Sequence, residues 1–270
     1  MRISGLADEL PDADVLVVPA DDPPGDQLLQ APPGKGTAVL YLQGFGRQLA
    51  PDVRVNLRHA SRVVALSRWL EDEARRAGCD VRHVAPGLDR AIFYSGPPVE
   101  RRERVVSVMT HSKDWKGTDD ALAALDAVRR ALPDTQIILF GVSLPENVVA
   151  ERVERPSRPA VADILRRSAV FVCSSWEEGL GMPGMEALAC GTALATTDTK
   201  GSRDYAIDRQ TALVTPPRDP AALAQSIIEL LGDADLRARL ADAGRRHVSQ
   251  GFPEWPVAAR RFEVALAELT

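Results

Sequence analysis

What this sequence lacks narrows it first. Its 270 residues include only three cysteines, Cys79, Cys173 and Cys190. They share no metal-type spacing, and two of them sit in apolar runs, so a disulfide scaffold and a cysteine zinc site are both set aside; they read as small core residues in a reducing compartment. No apolar run approaches the roughly 20 residues that a membrane-spanning helix needs. The first residues show no basic segment followed by an apolar core, so no secretory signal is read and a cytoplasmic location is expected. An excess of positive charge is also missing. Thirty-three Lys and Arg stand against 38 Asp and Glu, a formal net charge of −5, which argues against nucleic acid as a partner. The densest basic cluster, Arg101, Arg102 and Arg104, reads as a solvated linker face. Internal repeats and low-complexity tracts are absent.

What is present is an ordinary globular composition, 45% hydrophobic and 26% charged, in a chain long enough for two small domains. Asp14 to Pro19, Thr37 to Leu42 and Arg62 to Leu66 are short continuous apolar runs, the pattern of strands buried on both faces. Between the first two lies Asp21 to Gly36, rich in proline, glycine and aspartate. Its Gly34-Lys35-Gly36-Thr37 is not a phosphate-binding P-loop, since the earlier glycine is missing and a strand follows instead of a helix. Ser67 is expected to cap a helix over 68–77 that Gly78 ends, and Val81 to Val84 reads as a further strand.

From Arg104 onward strands and helices alternate. Strands are expected at Val105 to Met109, Gln136 to Phe140, Ala169 to Cys173, Ala193 to Thr196 and Leu213-Val214. Helices are expected after a Thr118 cap, at Val161 to Arg167, at Pro183 to Ala189 and after Asp219-Pro220, with Arg152 to Pro159 as a mobile loop. This alternation predicts a parallel sheet with helices on both faces and ligands at the carboxyl ends of the strands. Residues 233–270 are helical by pattern, interrupted at Gly251-Phe252-Pro253.

The stretch from Trp176 to Gly191 carries the chemistry. It joins a strand to a helix through glycines at 179, 181 and 184, and seven residues separate Glu178 from Glu186. A helix start of this kind offers unpaired N–H groups and a positive dipole end, which suit a phosphate. Carboxylates beside it would repel that phosphate and suit hydroxyl groups instead. Phosphate and polyol together point to a nucleotide sugar.

Glu178-Gly179-Leu180-Gly181 followed by Glu186-Ala187-Leu188-Ala189-Cys190-Gly191 resembles the two-glutamate signature of the retaining family 4 glycosyltransferases. The resemblance implies an α/β protein with a GT-B-like fold of two Rossmann-like parallel-sheet domains, transferring a hexose with retention, without a metal and without a cofactor. It implies catalytic roles for Glu178 and Lys116, the latter in the family's Lys-Gly pair as Lys116-Gly117. Glu186 would accept from ribose hydroxyls, and the amides of Gly179, Leu180 and Gly181 would face the diphosphate. The family's arginine is missing; its place falls at or next to His111, so His111 or Lys113 is the expected substitute, and Thr110 is a further expected donor-binding residue. Lys200 to Asp204 occupies the family's next glycine-rich turn, with Asp204 for glutamate and no role assigned.

The resemblance is thin before about residue 60, and Pro86-Gly87-Leu88-Asp89 with Phe93 resembles the segment that closes the family's first domain. The implied organisation is a partial acceptor-side domain over 1–93, a linker over 94–103, a nucleotide-sugar-binding domain over 104–250, and a helix over 251–270 crossing back to the first domain. Phe252, Trp255, Val257 and Phe262 are the expected anchors of that crossing. Tyr41-Leu42-Gln43-Gly44-Phe45 resembles a strand end facing the cleft, which makes Gln43 and Gly44 acceptor-side candidates. The expected partners are a nucleotide-sugar donor and a carbohydrate, lipid-linked or small-molecule acceptor of cell-envelope or secondary metabolism. A peripheral membrane contact and a partner chain or second copy are further expectations. The short front and the missing arginine also suit a second class, a non-catalytic nucleotide-sugar-binding subunit that needs a partner to complete its cleft.

Overall fold

The structure, a computed structural model, describes residues 10–20, 28–44, 57, 59–146 and 148–270. Phe45 and the first part of the breaker-rich stretch, 21–27, lie outside these residues. The chain divides into two compact units, Met1–Gly87 with Pro253–Thr270, and Leu88–Phe252.

Among its described residues the first unit holds four parallel strands in the order β1 (Val15–Pro19), β2 (Thr37–Leu42), β3 (Arg62–Ala65) and β4 (Asp80–His83). Val39, Leu40, Leu42, Val63 and Val64 are fully buried, as continuous apolar runs require when both faces of a sheet are covered. Helix α1 (Arg68–Arg76) follows β3. Ser67 stands at its N-cap in extended backbone without making the side-chain capping bond that was expected. Glu71 in the first turn instead pairs with Arg68 at 3.0 Å and Arg75 at 2.7 Å.

The last helix of the chain, Trp255–Leu269, belongs to this unit. Its Ala265 and Leu269 join Val39, Val64 and Val84 in one core cluster, and Phe262 meets the Tyr41 ring edge-on at 5.0 Å. Of the four expected anchors, Phe262 packs here, Trp255 and Val257 are each 45% exposed, and Phe252 is buried in the other unit, 6.4 Å from Tyr205. Helical phase accounts for Val257, which lies about 140° around the helix from Phe262 at 100° per residue, so both cannot face the sheet.

The second unit is a six-stranded parallel sheet in the order β10-β9-β8-β5-β6-β7. Its strands are β5 (Val105–Thr110), β6 (Gln136–Gly141), β7 (Glu151–Glu154), β8 (Val170–Cys173), β9 (Ala193–Thr197) and β10 (Leu213–Thr215). Its helices are α2 (Thr118–Ala131), α3 (Arg158–Arg167), α4 (Met182–Ala189), α5 (Pro220–Gly232) and α6 (Ala234–Gly251). The helix Trp255–Leu269 is α7. Strand β8 pairs with β5 (Val106 opposite Val170, Val108 opposite Val172), although β6 and β7 intervene in sequence. The order therefore reverses between β5 and β8, the topological switch point at which doubly wound sheets open a crevice for ligands.

Three local expectations are corrected. Residues 152–154, read as part of a mobile loop, belong to edge strand β7, whose composition Glu-Arg-Val-Glu lacks an apolar run because little of it is covered. Thr118 opens α2 but does not cap it; Gly117 takes the N-cap position. Arg102 is not a solvated linker residue. Its guanidinium donates to the carbonyls of Pro97, Leu165, Ser168 and Cys190 and to the Thr192 hydroxyl, at 2.8–3.2 Å. Burial lowers its pKa to about 10, which leaves it charged at neutral pH.

Candidate functional site

The loops after β5 and β8 flank the switch point, and Lys116 and Glu178 meet there. After β5 the chain makes a 3-10 turn, Asp114–Lys116, closed by Gly117 in the left-handed region at φ 61°. A Cβ on Gly117 would stand 2.1 Å from the Ser174 carbonyl oxygen, so only glycine allows this turn to sit against the end of β8. Two hydrogen bonds tie the loops together: Trp176 N–H donates to Trp115 O at 2.7 Å, and the Ser174 hydroxyl donates to Lys116 O at 3.0 Å. Lys116 Nζ then reaches Glu178 Oε1 at 2.7 Å, with the two side chains 21% and 16% exposed.

The rest of the glutamate loop is held from the opposite side. Glu178 N–H donates to Thr199 O at 3.0 Å, and Lys200 Nζ pairs with Glu177 Oε2 at 2.5 Å. Gly181, at φ 84°, sits at the N-cap of α4, and its carbonyl accepts the hydroxyl of fully buried Tyr205 at 2.6 Å. Leu180 is buried, which anchors the stretch between the two glycines. Trp176 donates its indole N–H to Asp120 at 2.7 Å, and Arg218 stacks 4.0 Å above its ring.

Glu186 lies on α4 and is only 8% exposed. Desolvation lifts its pKa to about 7, opposed by the guanidinium of Arg158, whose Nη2 lies 3.6 Å from Oε1. Arg158 opens α3, where Ser157 makes the N-cap bond to Ala160.

Thr110 and the two candidate substitutes for the arginine, His111 and Lys113, are placed differently from one another. Thr110 is fully buried, and its hydroxyl donates to Ser143 O at 2.6 Å, so it ties β5 to the loop after β6 and presents no free hydroxyl. His111 exchanges two hydrogen bonds with the Thr118 hydroxyl, and its ring Nδ1 accepts from Lys113 N–H at 3.1 Å. Burial, then Lys116 and Lys113, push its pKa below the usual imidazole value, so His111 is neutral at pH 7 and cannot supply the fixed charge of an arginine. Lys113 is exposed and lies 4.7 Å over the Trp115 ring. Gln43 and Gly44 follow β2 in the first unit, where Gln43 is exposed and hydrogen-bonds the Tyr41 hydroxyl.

Sequence reasoning missed Arg158, Tyr205 and the Trp115–Trp176 backbone tie. Ser157-Arg158-Pro159 was the available signal for Arg158: serine followed by a proline near the first helical position marks a helix start. Chemically, the arrangement offers one fixed cation against one carboxylate at the switch point, a buried carboxylate one helix turn further on, and a glycine loop between them.

Residues 102–233 match the family described as Glycosyl transferases group 1. Glycogen synthase of Mycobacterium tuberculosis is 31% identical over 164 residues, covering 56% of this chain and 40% of that protein. Alpha-maltose-1-phosphate synthase of Mycolicibacterium smegmatis is 26% identical over 262 residues, covering 82% of this chain and 67% of the relative. The chain thus spans two fifths to two thirds of the length of these relatives. Among solved structures, sucrose-phosphate synthase from Thermosynechococcus elongatus superposes with a TM-score of 0.79 at 19% identity, over 95% of this chain and 73% of that one. Anabaena HepE in complex with UDP-glucose superposes with a TM-score of 0.77 at 16% identity, over 95% and 79%.

Proposed function

Because residues 102–233 belong to the group 1 glycosyltransferases and the chain has their two-sheet GT-B fold, we propose that it is a retaining hexosyltransferase that uses a nucleoside-diphosphate sugar. The acceptor is a carbohydrate, lipid-linked or small-molecule hydroxyl compound of the cell envelope or secondary metabolism, handled on the cytoplasmic side. The donor half of the site lies within 104–250 and the acceptor side within 1–93, with 94–103 as linker and 251–270 returning to the first part.

The observation that carries the reading is the 2.7 Å approach of Lys116 Nζ to Glu178 Oε1 at the switch point. In transfer, the bond between the sugar's anomeric carbon and the diphosphate breaks and a bond to the acceptor oxygen forms; the acceptor proton leaves with the diphosphate. Negative charge grows on the departing diphosphate, and a preorganised ammonium together with the Gly179 to Gly181 amides stabilises it. Lys113 adds a second cation, and neutral His111 an N–H donor. Glu178 accepts from sugar hydroxyls, which turns the ring into the geometry for attack on the retained face, and Glu186 accepts from the ribose. No step is assigned to a metal. That relatives across the family are transferases favours turnover over a non-catalytic binding subunit.

The test is release of UDP or GDP from a panel of nucleoside-diphosphate hexoses, with and without an acceptor extract and with EDTA present. Lys116→Ala and Glu178→Ala are expected to abolish release. Full activity in both would remove the assignment, and loss of activity with EDTA alone would remove metal independence.

A further inference from the structure

Glu186 is a buried carboxylate whose side chain accepts no hydrogen bond among the described residues. A charge in that position needs a partner, because its removal from water is not otherwise compensated. The groups that face it come from three elements. Arg158 on α3 lies 3.6 Å away and is held over the Phe93 ring at 5.2 Å. Cys190, at the end of α4 itself, has a thiol pushed up to about 12 by burial, so it is neutral. Tyr205, from the turn after β9, is fully buried, well above its ordinary pKa, and donates its proton to Gly181 O. Helix α6 packs on α4 through Gly244 against Leu188, and its His247 is engaged by the Asp204 carbonyl. Arg158 is therefore the one charge set against Glu186 among the described residues.

We propose that Arg158 is a positioning residue of the donor site. Standing beside Glu186, it keeps that buried carboxylate ionised, and only the ionised form accepts from both vicinal ribose hydroxyls of a nucleoside diphosphate. The proposal rests on the donor site described above. An ionised carboxylate has acceptor sites for two hydroxyl donors, whereas the protonated acid gives up part of that capacity to its own O–H. The guanidinium is half-exposed, with 49% of its side chain accessible, so it faces Glu186 while its own charge stays in contact with water.

The test measures binding of UDP, GDP and their 2′-deoxy counterparts to the full chain by calorimetry from pH 6 to 9. Native protein is expected to prefer the ribonucleotide by about tenfold, the size of one charge-assisted hydrogen bond. That preference should fade as pH drops through about 7, where Glu186 takes up its proton. In Arg158→Ala the preference at pH 7 should collapse and return only at higher pH, and Arg158→Lys should restore it. Arg158→Gln, which keeps the stem over Phe93, serves if the alanine variant does not fold. An unchanged ratio and unchanged pH midpoint in the alanine and glutamine variants would overturn the role of Arg158 while leaving the donor site standing. Failure of native protein to bind either UDP or GDP would overturn the donor site itself, and this role with it.

Discussion

Lys116 Nζ and Glu178 Oε1 lie 2.7 Å apart across the reversal of strand order between β5 and β8. Sixty-two positions separate the two residues in sequence, and the pair exists only because β8 returns to lie beside β5. In the free chain the two proposed donor contacts satisfy each other. A nucleotide sugar would offer phosphate to one and hydroxyls to the other, whereas a nucleoside diphosphate can replace only one half of the pair.

Glu178→Gln should therefore abolish transfer while tightening the binding of UDP or GDP. A gain of roughly two- to fivefold is expected, since a partly exposed ion pair is worth under about 1 kcal/mol. Glu177→Gln is the control, because that carboxylate pairs with Lys200. Calorimetry of both variants decides it; equal effects would mean that only net charge matters.

The raised pKa of Glu186 bears on stability as well as on binding. Its folded value of about 7 lies above the ordinary 4.5, so the folded chain holds this proton more tightly than the unfolded one. The resulting stabilisation is complete below about pH 4.5 and is lost as pH rises to about 7. Its full size is about 3 kcal/mol. Thermal unfolding of native protein and Glu186→Gln between pH 4.5 and 8 should show the native chain losing stability relative to the variant as pH rises.

Gly117→Ala should be costly for a residue in a short turn. The left-handed backbone alone costs about 1–2 kcal/mol for a residue with a Cβ. The clash with Ser174 O at 2.1 Å forces the Lys116 turn away from β8 as well. A fall in melting temperature together with weaker donor binding is expected, and a fall in melting temperature with unchanged binding would show that the turn does not position Lys116.

Arg102→Ala should destabilise the chain by about 3 kcal/mol, because it leaves several buried acceptors unpaired. Arg102→Lys should not rescue it, since an ammonium cannot reproduce the planar fork that reaches Pro97, Leu165, Ser168, Thr192 and Cys190 together. Denaturant unfolding of the two variants measures both effects.

How far the sequence could be read varies with the kind of signal. The strands at 37–42, 105–110 and 170–173 were legible because burial on both faces demands uninterrupted apolar runs. Edge strand β7 was not, since its side chains are mostly uncovered and carry no apolar period. Arg102 looked like one of three similar arginines, and nothing local distinguishes the one that folds inward. Thr118 has the residue type of a helix cap, but its hydroxyl is spent on His111, a partner chosen by the path of the chain after β5.

By itself, then, the sequence determined which residue types stand at the ends of which strands: a lysine before a glycine after β5, and after β8 a glutamate in a glycine loop with a second on the helix that follows. Those assignments follow from local chemistry, from glycine's freedom of backbone and the period of buried runs. Only the tertiary structure decided that Lys116 and Glu178 meet, that Glu186 is buried and answered by Arg158, and that Thr110 is sealed away from solvent. Each of these depends on which strands become neighbours and how much water they exclude, and burial and pairing between distant residues leave no periodic mark in the chain.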